Sequence, residues 1–273
     1  MTLREATKIL CDAGVPSAKY DAEELFRAAL SLPRGALIDP GRDYPSRELE
    51  LLIERRVRRE PLQYILGEVG FFREEYTVTR DVLIPRSDTE LLVEYAVGHI
   101  PADAHFLDLC TGSGCIAIST LKNTERTTAT AVDISPAALA VARGNAERNG
   151  VAERLSLVEC DLLASGIPEC GERPYAILSN PPYVTASAYL ELEEELYREP
   201  RIALVGGADG LDFYRRLAGE ALAAVLPCGF VAFEIGYDQA DVLGRIAAEH
   251  GASCEILRDL GGCDRVAVLR RKN

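Results

Sequence analysis

Strand-like and helix-length segments alternate along residues 106–270 of this chain. Short apolar runs rich in β-branched residues are separated by segments long enough for a helix, and these runs are Phe106–Cys110, Thr128–Val132, Leu155–Cys160, Tyr175–Ser179 and Phe230–Ile235. Such alternation is typical of a parallel sheet wrapped by helices. It predicts an α/β fold for this part of the chain.

Two further strand-like runs, Ser253–Leu257 and Val266–Arg270, lie near the end of the sequence. The connection between them contains Gly261-Gly262-Cys263-Asp264 and is too short for a crossover helix. Strands joined in this way pair antiparallel. We therefore predict a sheet of seven strands that ends with a reversed strand.

The first 75 residues follow a different pattern. Apolar residues recur at helical spacing from Leu3 to about Glu60. Aromatic and β-branched residues then dominate between Gly67 and Pro85, as in a short hairpin. We predict a helical domain of residues 1–75, a connecting β-hairpin and a larger domain of residues 76–273. The basic run Arg55–Arg59 fits either a solvated helix face or a surface that docks a partner.

Charge and composition exclude several classes of function. The formal net charge of −13 would repel the phosphate backbone of a nucleic acid, so we expect no direct contact with nucleic acid. The three histidines lack the neighbours of a metal site, and the eight cysteines contain no Cys-x-x-Cys pair, so we expect no metal. Apolar stretches stay below the roughly 20 residues that a membrane span needs. We expect a cytoplasmic monomer without a membrane segment.

A glycine-containing turn, Cys110-Thr111-Gly112-Ser113-Gly114, joins the first strand of the α/β part to a helix. Backbone can approach a ligand closely there. Asp133 ends the next strand, and its carboxylate can accept hydrogen bonds from both hydroxyls of a ribose. Because the turn also satisfies the dinucleotide pattern Gly-x-Gly-x-x-Ala, an NAD-dependent oxidoreductase remains an alternative.

Two other aspartates favour a sulfonium cofactor such as S-adenosylmethionine. Asp108 lies near the end of the first strand, where it can meet the amino-acid part of that ligand. Asp161 follows the third strand, beside the expected position of the adenine, and is equally suited to capping the next helix.

The tetrapeptide Asn180-Pro181-Pro182-Tyr183 follows the fourth strand, at the edge where open α/β sheets bind ligands. Its prolines favour extended backbone and offer no N–H. The Asn180 side-chain oxygen and the Pro181 carbonyl can therefore hold both hydrogens of a flat NH₂ group, while the Tyr183 ring stacks on its face. We predict Asn180, Pro181 and Tyr183 as catalytic residues of methyl transfer to nitrogen; a merely rigid turn is the alternative.

These motifs resemble those of the peptide chain release factor glutamine N5-methyltransferases, over nearly the whole chain. The resemblance rests on the glycine turn, on the tetrapeptide and on Glu60–Gly67, Leu83–Glu90, Glu199-Pro200, Ala203-Leu204, Gly207–Leu211 and Asp264–Val266. It implies a Rossmann-like seven-stranded methyltransferase sheet, with a small helical N-terminal domain that recognises the substrate.

The resemblance also implies the ligands and their contacts. The acceptor is then the glutamine of the Gly-Gly-Gln motif in bacterial class I peptide chain release factors, and the cofactor is S-adenosyl-L-methionine. The implied substrate-binding residues are Asn180, Pro181, Pro182 and Tyr183. The implied cofactor-binding residues are Cys110, Thr111, Gly112, Ser113, Gly114, Asp133, Asp161, Leu162 and Asn180.

The chain departs from the pattern of that family at three positions. Cys110 stands where Gly is frequent, Ser87 replaces the usual Pro and Arg198 replaces the usual aromatic residue. Arg198 lies in the long acidic segment Val184–Asp209, which fits either a mobile cover over the substrate or a solvated helix.

Three rival functions remain open besides the oxidoreductase. The first is methylation of a glutamine in a ribosomal protein. The second is adenine N6 methylation of DNA, which the negative charge disfavours. The third is a non-catalytic S-adenosylmethionine-binding module that docks a partner through residues 1–60.

Overall fold

The structure, a computed structural model, describes residues 1–33 and 35–272. The chain divides into two units, the first formed by Met1–Glu68 with Glu193–Arg198 and the second by Val69–Leu192 with Glu199–Asn273. The division at residue 68 precedes the position predicted from the sequence, residue 75, because hairpin residues Phe71 and Tyr76 are buried in the core of the second unit. No helix within the described residues is long and apolar enough to cross a membrane.

Within its described residues, the first unit packs four α-helices around one apolar cluster. They are α1 (Leu3–Asp12), α2 (Ala18–Ala29), α3 (Arg47–Val57) and α4 (Leu62–Leu66). Thr2 and Glu5 form a reciprocal capping box at the start of α1, which satisfies backbone donors that have no partner inside the helix. Leu10, Leu25 and Phe26 are fully buried between the helices.

The arginine run at the end of α3 is engaged in ion pairs within the first unit. Arg56 is only 5% exposed, and its guanidinium lies 2.7 Å from Asp21 and 3.0 Å from Glu195. Arg59 contacts the same Glu195 at 2.6 Å. Arg58 is the solvated member, with 75% of its side chain exposed. The run is therefore neither a uniformly solvated face nor a free docking surface.

The second unit contains the predicted hairpin and a seven-stranded sheet, counted over the described residues. Its elements are β1 (Glu68–Phe71), β2 (Glu74–Thr77), α5 (Glu90–His99), β3 (His105–Leu109), α6 (Cys115–Lys122), β4 (Thr128–Asp133), α7 (Pro136–Arg148), β5 (Leu155–Glu159), α8 (Leu162–Ser165), β6 (Ala176–Ser179), α9 (Asp212–Ala224), β7 (Phe230–Glu234), α10 (Ala240–Glu249), β8 (Ala252–Arg258) and β9 (Asp264–Arg271).

The strands follow the order β5-β4-β3-β6-β7-β9-β8. Strands β3 to β7 run parallel, whereas β9 is antiparallel to both of its neighbours. The predicted reversed strand is confirmed, but it does not form the edge. It is inserted between β7 and β8, because the crossover helix α10 returns β8 parallel to β7 and leaves a space that β9 fills.

Alternating side chains of the strands form two apolar cores, one on each face of the sheet. Phe106 points into the core shared with α5 and α6, and the next residue, Leu107, points into the core shared with α9 and α10. Both are at most 1% exposed. Helices on both faces bury the central strands completely, so polar residues at their carboxyl ends are available for a site.

Candidate functional site

A cavity of about 340 Å³ opens in the second unit, at the carboxyl ends of β3, β4, β5 and β6. Its wall includes eight of the nine residues predicted to bind the cofactor, namely Cys110, Thr111, Gly112, Ser113, Asp133, Asp161, Leu162 and Asn180. Parallel strands end at the same edge, so residues distant in sequence meet there. Which ligand each of these residues contacts stays a prediction.

The ninth residue, Gly114, does not line the cavity. It immediately precedes α6 and has a positive φ of 83°. A Cβ atom there would lie 2.9 Å from Ile118 Cδ1 and 3.2 Å from Ala142 Cβ. Gly114 is therefore required for the turn and for the close packing of α6 on α7.

Asp133 is held at the cavity by backbone donors. Its Oδ2 accepts from Gly112 N at 2.8 Å and its Oδ1 accepts from Ser135 N at 2.9 Å. Burial raises the pKa of Asp133, and these backbone donors oppose that effect. Each carboxylate oxygen keeps a further lone pair, so Asp133 can still accept hydrogen bonds from a ligand hydroxyl.

Asp108 does not reach the cavity wall. Its carboxylate is fully buried, and its Oδ2 accepts from Thr111 Oγ1 at 2.6 Å and from Ala117 N at 3.2 Å. Burial raises its pKa to about 7. Asp108 Oδ2 thus braces the glycine turn, whereas Oδ1 has no hydrogen-bond partner among the described residues, and contact of Asp108 with the cofactor stays a prediction.

Asp161 satisfies both interpretations of its position. Its Oδ1 accepts from Leu163 N at 3.0 Å and Ala164 N at 3.1 Å, which caps α8. The same residue lies on the cavity wall beside Leu162. Its second carboxylate oxygen is thus available for a ligand.

The tetrapeptide Asn180–Tyr183 contributes two of its four residues, Asn180 and Pro182, to the cavity wall. Asn180 Nδ2 donates to Thr89 Oγ1 at 3.2 Å, which leaves Asn180 Oδ1 as the unused acceptor. Pro181 is buried, and no donor within the described residues binds its carbonyl. Two acceptors therefore remain unoccupied at this turn.

Tyr183 lies off the cavity wall. Its half-buried ring packs against the apolar core, and its hydroxyl donates to Glu234 Oε1 at 3.4 Å. Its backbone carbonyl accepts from Gln239 Nε2 at 3.3 Å. These contacts anchor the end of the tetrapeptide, and stacking of the ring on a bound amide stays a prediction.

The chain after the tetrapeptide is fastened to it by backbone contacts. Val184 N donates to Leu204 O at 2.9 Å, and Gly206 N donates to Val184 O at 3.0 Å. A Cβ atom at Gly206 would lie 2.2 Å from the Pro182 carbonyl, so only glycine allows this approach. Residues of this segment that line the cavity are Pro200, Ile202, Ala203 and Val205. The segment forms part of the wall, and its predicted mobility is not tested.

Sequence reasoning assigned no role to several other wall residues. They are Asp81, Val82, Leu83, Pro85, Arg86, Thr89, Ile116, Ile134, Ser135, Ala138, Cys160, Leu163 and Phe213. Four of these lie in Leu83–Glu90, which was noticed only as a shared motif. That stretch follows no strand of the large sheet, so strand-end reasoning could not find it.

The strand order with one inserted reversed strand, and the cavity beside a glycine turn and a strand-end aspartate, define a methyltransferase of the S-adenosylmethionine-dependent class. The sequence matches the PrmC N-terminal domain over residues 2–67 and the methyltransferase small domain over residues 87–208. Both matches agree with the predicted architecture.

Full-length relatives narrow this class to a family. The release factor glutamine methyltransferase of Geobacter sulfurreducens is 40% identical over 263 residues, covering 94% of this chain and 91% of that protein. The release factor glutamine methyltransferase of Moorella thermoacetica is 38% identical over 290 residues, covering 100% and 99%. This chain belongs to the release factor glutamine methyltransferase family.

A solved structure supports the fold alone. The hMettl16 catalytic domain, crystallised with the MAT2A 3′UTR hairpin 6, aligns with a TM-score of 0.59 and 12% identity, covering 93% of this chain and 92% of that chain.

Proposed function

We propose that this enzyme transfers a methyl group from S-adenosylmethionine to the side-chain amide nitrogen, N5, of the glutamine in the Gly-Gly-Gln motif of bacterial class I release factors. The names of its full-length relatives support a release factor as the substrate. The observation that carries the proposal is the unoccupied acceptor Asn180 Oδ1 on the cavity wall that Asp133 shares, with a second unoccupied acceptor, the carbonyl of the adjacent Pro181, in the same turn.

The residues of the cavity suit S-adenosylmethionine. Asp133 offers acceptors for ribose hydroxyls, and the backbone of Cys110–Ser113 lies along one side. Ile134, Ala138 and Leu162 provide apolar surface for an adenine ring. The volume of about 340 Å³ lies within the usual range for small-molecule sites. Bound there, the cofactor supplies an electrophilic methyl group on a sulfonium.

The two acceptors match the two hydrogens of a primary amide. Asn180 Oδ1 and the Pro181 carbonyl each accept one N–H, which fixes the plane of the amide and places its nitrogen toward the cavity. An alcohol or a tertiary amine could not use both. This geometry favours a planar NH₂ group and so supports glutamine as the acceptor residue.

Positioning supplies most of the catalysis in this proposal. An amide nitrogen is a weak nucleophile, because its lone pair is delocalised onto the carbonyl with a rotation barrier of about 18–20 kcal/mol. Alignment of nitrogen and methyl carbon at roughly 3–3.5 Å can lower the barrier by about 7–11 kcal/mol. The acceptors also stabilise positive charge that develops on the nitrogen. We assign no general base: the C–S bond breaks as the N–C bond forms, S-adenosylhomocysteine leaves as the neutral thioether, and the methylated amide, strongly acidic while it is positively charged, releases one N–H proton to water.

In this proposal the enzyme acts as a monomer in the cytoplasm, and its N-terminal unit serves as the substrate-recognition domain. The match of residues 2–67 to a separate domain family supports the assignment of that domain. The ion pairs of Arg56 and Arg59 indicate that any docking surface lies elsewhere on this unit.

The test is a transfer assay with S-adenosylmethionine labelled in the methyl group. Purified unmethylated release factor, total ribosomal protein and DNA are supplied separately, and modified peptides are sequenced by mass spectrometry. We expect label on the Gly-Gly-Gln glutamine alone. Label only on ribosomal protein or DNA would reject the substrate, and absence of S-adenosylhomocysteine production with every substrate would favour a non-catalytic module.

A variant of Asn180 separates chemistry from cofactor binding. Asn180→Ala removes one acceptor and should lower the transfer rate by about 100-fold or more. S-adenosylhomocysteine should still bind, because Asp133 and the glycine turn remain. Tight binding of NAD without binding of S-adenosylhomocysteine would instead support the oxidoreductase alternative.

A further inference from the structure

The chain leaves the tetrapeptide after Tyr183 and returns to it at Gly210. A Cβ atom at Gly210 would lie 2.1 Å from the Tyr183 carbonyl oxygen, so the two backbone segments are in direct contact. Gly210 also has a positive φ of 76°, which favours glycine. The stretch between these two residues contains four residues of the cavity wall, Pro200, Ile202, Ala203 and Val205. The contact of Tyr183 with Gly210 therefore closes the base of a stretch that helps to enclose the cavity.

Gln239 joins the two sides of this base. It lies in the connection between β7 and α10 and is only 7% exposed. Its Nε2 donates to the carbonyl oxygens of Tyr183 and Gly210, each at 3.3 Å. Its Oε1 accepts from Gly236 N at 2.9 Å. One buried amide thus connects the end of the tetrapeptide, the end of the stretch that follows it and the connection after β7.

The partners of Gln239 permit one orientation of its amide. The backbone N–H of Gly236 only donates, so it faces the amide oxygen, whereas the two carbonyls only accept and face the NH₂ group. Because the amide is buried, a lost partner leaves a donor or an acceptor unpaired, and that is costly. An ionised glutamate lacks the two donors, and a methionine lacks every polar contact. Glutamine is therefore the side chain that is chemically matched to this place.

We propose that Gln239 is a positioning residue of the methyl transfer, which holds the Tyr183 backbone and so fixes the Asn180 and Pro181 acceptors at the cavity. The inference rests on the proposed function, because these acceptors matter only where an amide nitrogen is held. Gln239 does not line the cavity, so it acts through the tetrapeptide. Strand β6 holds the start of the tetrapeptide, and Gln239 holds its end.

The rigidity of the tetrapeptide transmits this effect. Pro181 and Pro182 each have a fixed φ, so the backbone between Asn180 and Tyr183 has little freedom to absorb a displacement of its end. A shift of Tyr183 therefore moves the acceptors as well. A misplacement of the reacting atoms by about 1 Å can lower the rate about 100-fold. Loss of the Gln239 hydrogen bonds should consequently affect the chemical step.

The test compares three variants of the full chain with the wild type. Gln239→Glu keeps an oxygen for Gly236 N but, once ionised, points an acceptor at two carbonyls, and Gln239→Met removes all three hydrogen bonds at similar length. Asn149→Asp is the matched control, because Asn149 Nδ2 likewise donates to two carbonyls, of Glu75 at 3.1 Å and of Asn145 at 3.0 Å, away from the cavity wall. For each protein, kcat and KM for a purified release factor are measured at pH 8, with the Kd of S-adenosylhomocysteine and the urea midpoint of unfolding.

We expect both Gln239 variants to lower kcat/KM by about 100-fold, mainly through kcat, because the acceptor glutamine still reaches the cavity but is poorly aligned. The Kd of S-adenosylhomocysteine should stay within about threefold, since Asp133 and the glycine turn are unchanged. Asn149→Asp should also lower the urea midpoint but keep kcat/KM within about twofold of the wild type. The control thus separates a loss of stability from a loss of alignment.

Three results would overturn the inference. The first is a Gln239→Met enzyme that retains the wild-type kcat, and the second is a variant at this position that loses S-adenosylhomocysteine binding to the same extent as activity. The third is an Asn149→Asp enzyme that loses as much activity as Gln239→Glu. Where Gln239→Met fails to fold, retention of the wild-type kcat by Gln239→Glu decides against the inference. A wild-type enzyme that leaves the release factor unmethylated refutes the proposed function instead, so the two failures are distinguishable.

Discussion

Asp133 Oδ2 accepts a hydrogen bond of 2.8 Å from Gly112 N, so the aspartate at the end of β4 and the glycine turn after β3 form one rigid corner. The corner holds a partly desolvated carboxylate at the cavity wall. The Asp133 carboxylate therefore fixes the backbone of the glycine turn as well as lining the cavity.

Asp133→Asn should weaken cofactor binding without unfolding the protein. The amide keeps one oxygen acceptor. Its NH₂ group replaces an oxygen that accepts from a backbone N–H, of Gly112 or of Ser135, so that hydrogen bond is lost together with the ribose hydrogen bond to the same oxygen. We expect the Kd of S-adenosylhomocysteine to rise by about 10-fold or more, measured by calorimetry. Asp103→Asn, in an exposed ion pair with Arg126, is the control and should leave that Kd unchanged. If both variants bind S-adenosylhomocysteine with equal affinity, the ribose does not contact Asp133.

Cys110 adopts a positive φ of 58°, a conformation that favours glycine. In a pair of variants at this position, Cys110→Gly should therefore be more stable than Cys110→Ala by about 1 kcal/mol. At Cys115, the first residue of α6, the order should reverse, because alanine favours helix. Chemical denaturation of the four variants measures both differences, and the same order at both positions would contradict a local backbone effect.

Arg56 neutralises two carboxylates inside the first unit, and its removal leaves Asp21 buried at 2% exposure without its ion pair. Arg56→Ala should lower the free energy of unfolding by about 3 kcal/mol or more. Arg58→Ala, at the C-cap of the same helix and with a side chain that is 75% exposed, should change it by less than about 1 kcal/mol. Urea denaturation measures the free energy of unfolding of both variants. Similar losses would show that the buried ion pair contributes no more to stability than the exposed one.

Glu234 should make the protein less stable as the pH rises. Burial raises its pKa from 4.5 in the unfolded chain to about 7, so the folded state binds the extra proton and its stability contribution is lost between those values. Glu234→Gln removes this dependence and should be more stable than the wild type at pH 8 by up to about 3 kcal/mol. At pH 4 the two proteins should be nearly equal.

Asp108 titrates over the same range, with its pKa raised to about 7, but it is present in both proteins. The difference between the two denaturation curves therefore isolates Glu234. A difference that does not grow between pH 5 and pH 8 would show that Glu234 is not a buried acid of this kind.

The sequence by itself determined the architecture and the part of the cavity wall that lies at the strand ends. Alternation of apolar runs and helices determined a parallel sheet, because each buried strand requires helices on its faces. Parallel strands end at one edge, so Cys110–Ser113, Asp133, Asp161 and Asn180 could be placed together before any coordinates were known.

Only the tertiary structure decided the rest, since it depends on contacts between residues distant in sequence. Local periodicity does not reveal the insertion of β9 beside β7 or the hydrogen bond from Thr111 to Asp108. Nor does it reveal the hydrogen bonds from Asn180 to Thr89 and from Tyr183 to Glu234. Buried polar groups must find hydrogen-bond partners, and the available partners depend on which segments pack together in the folded chain.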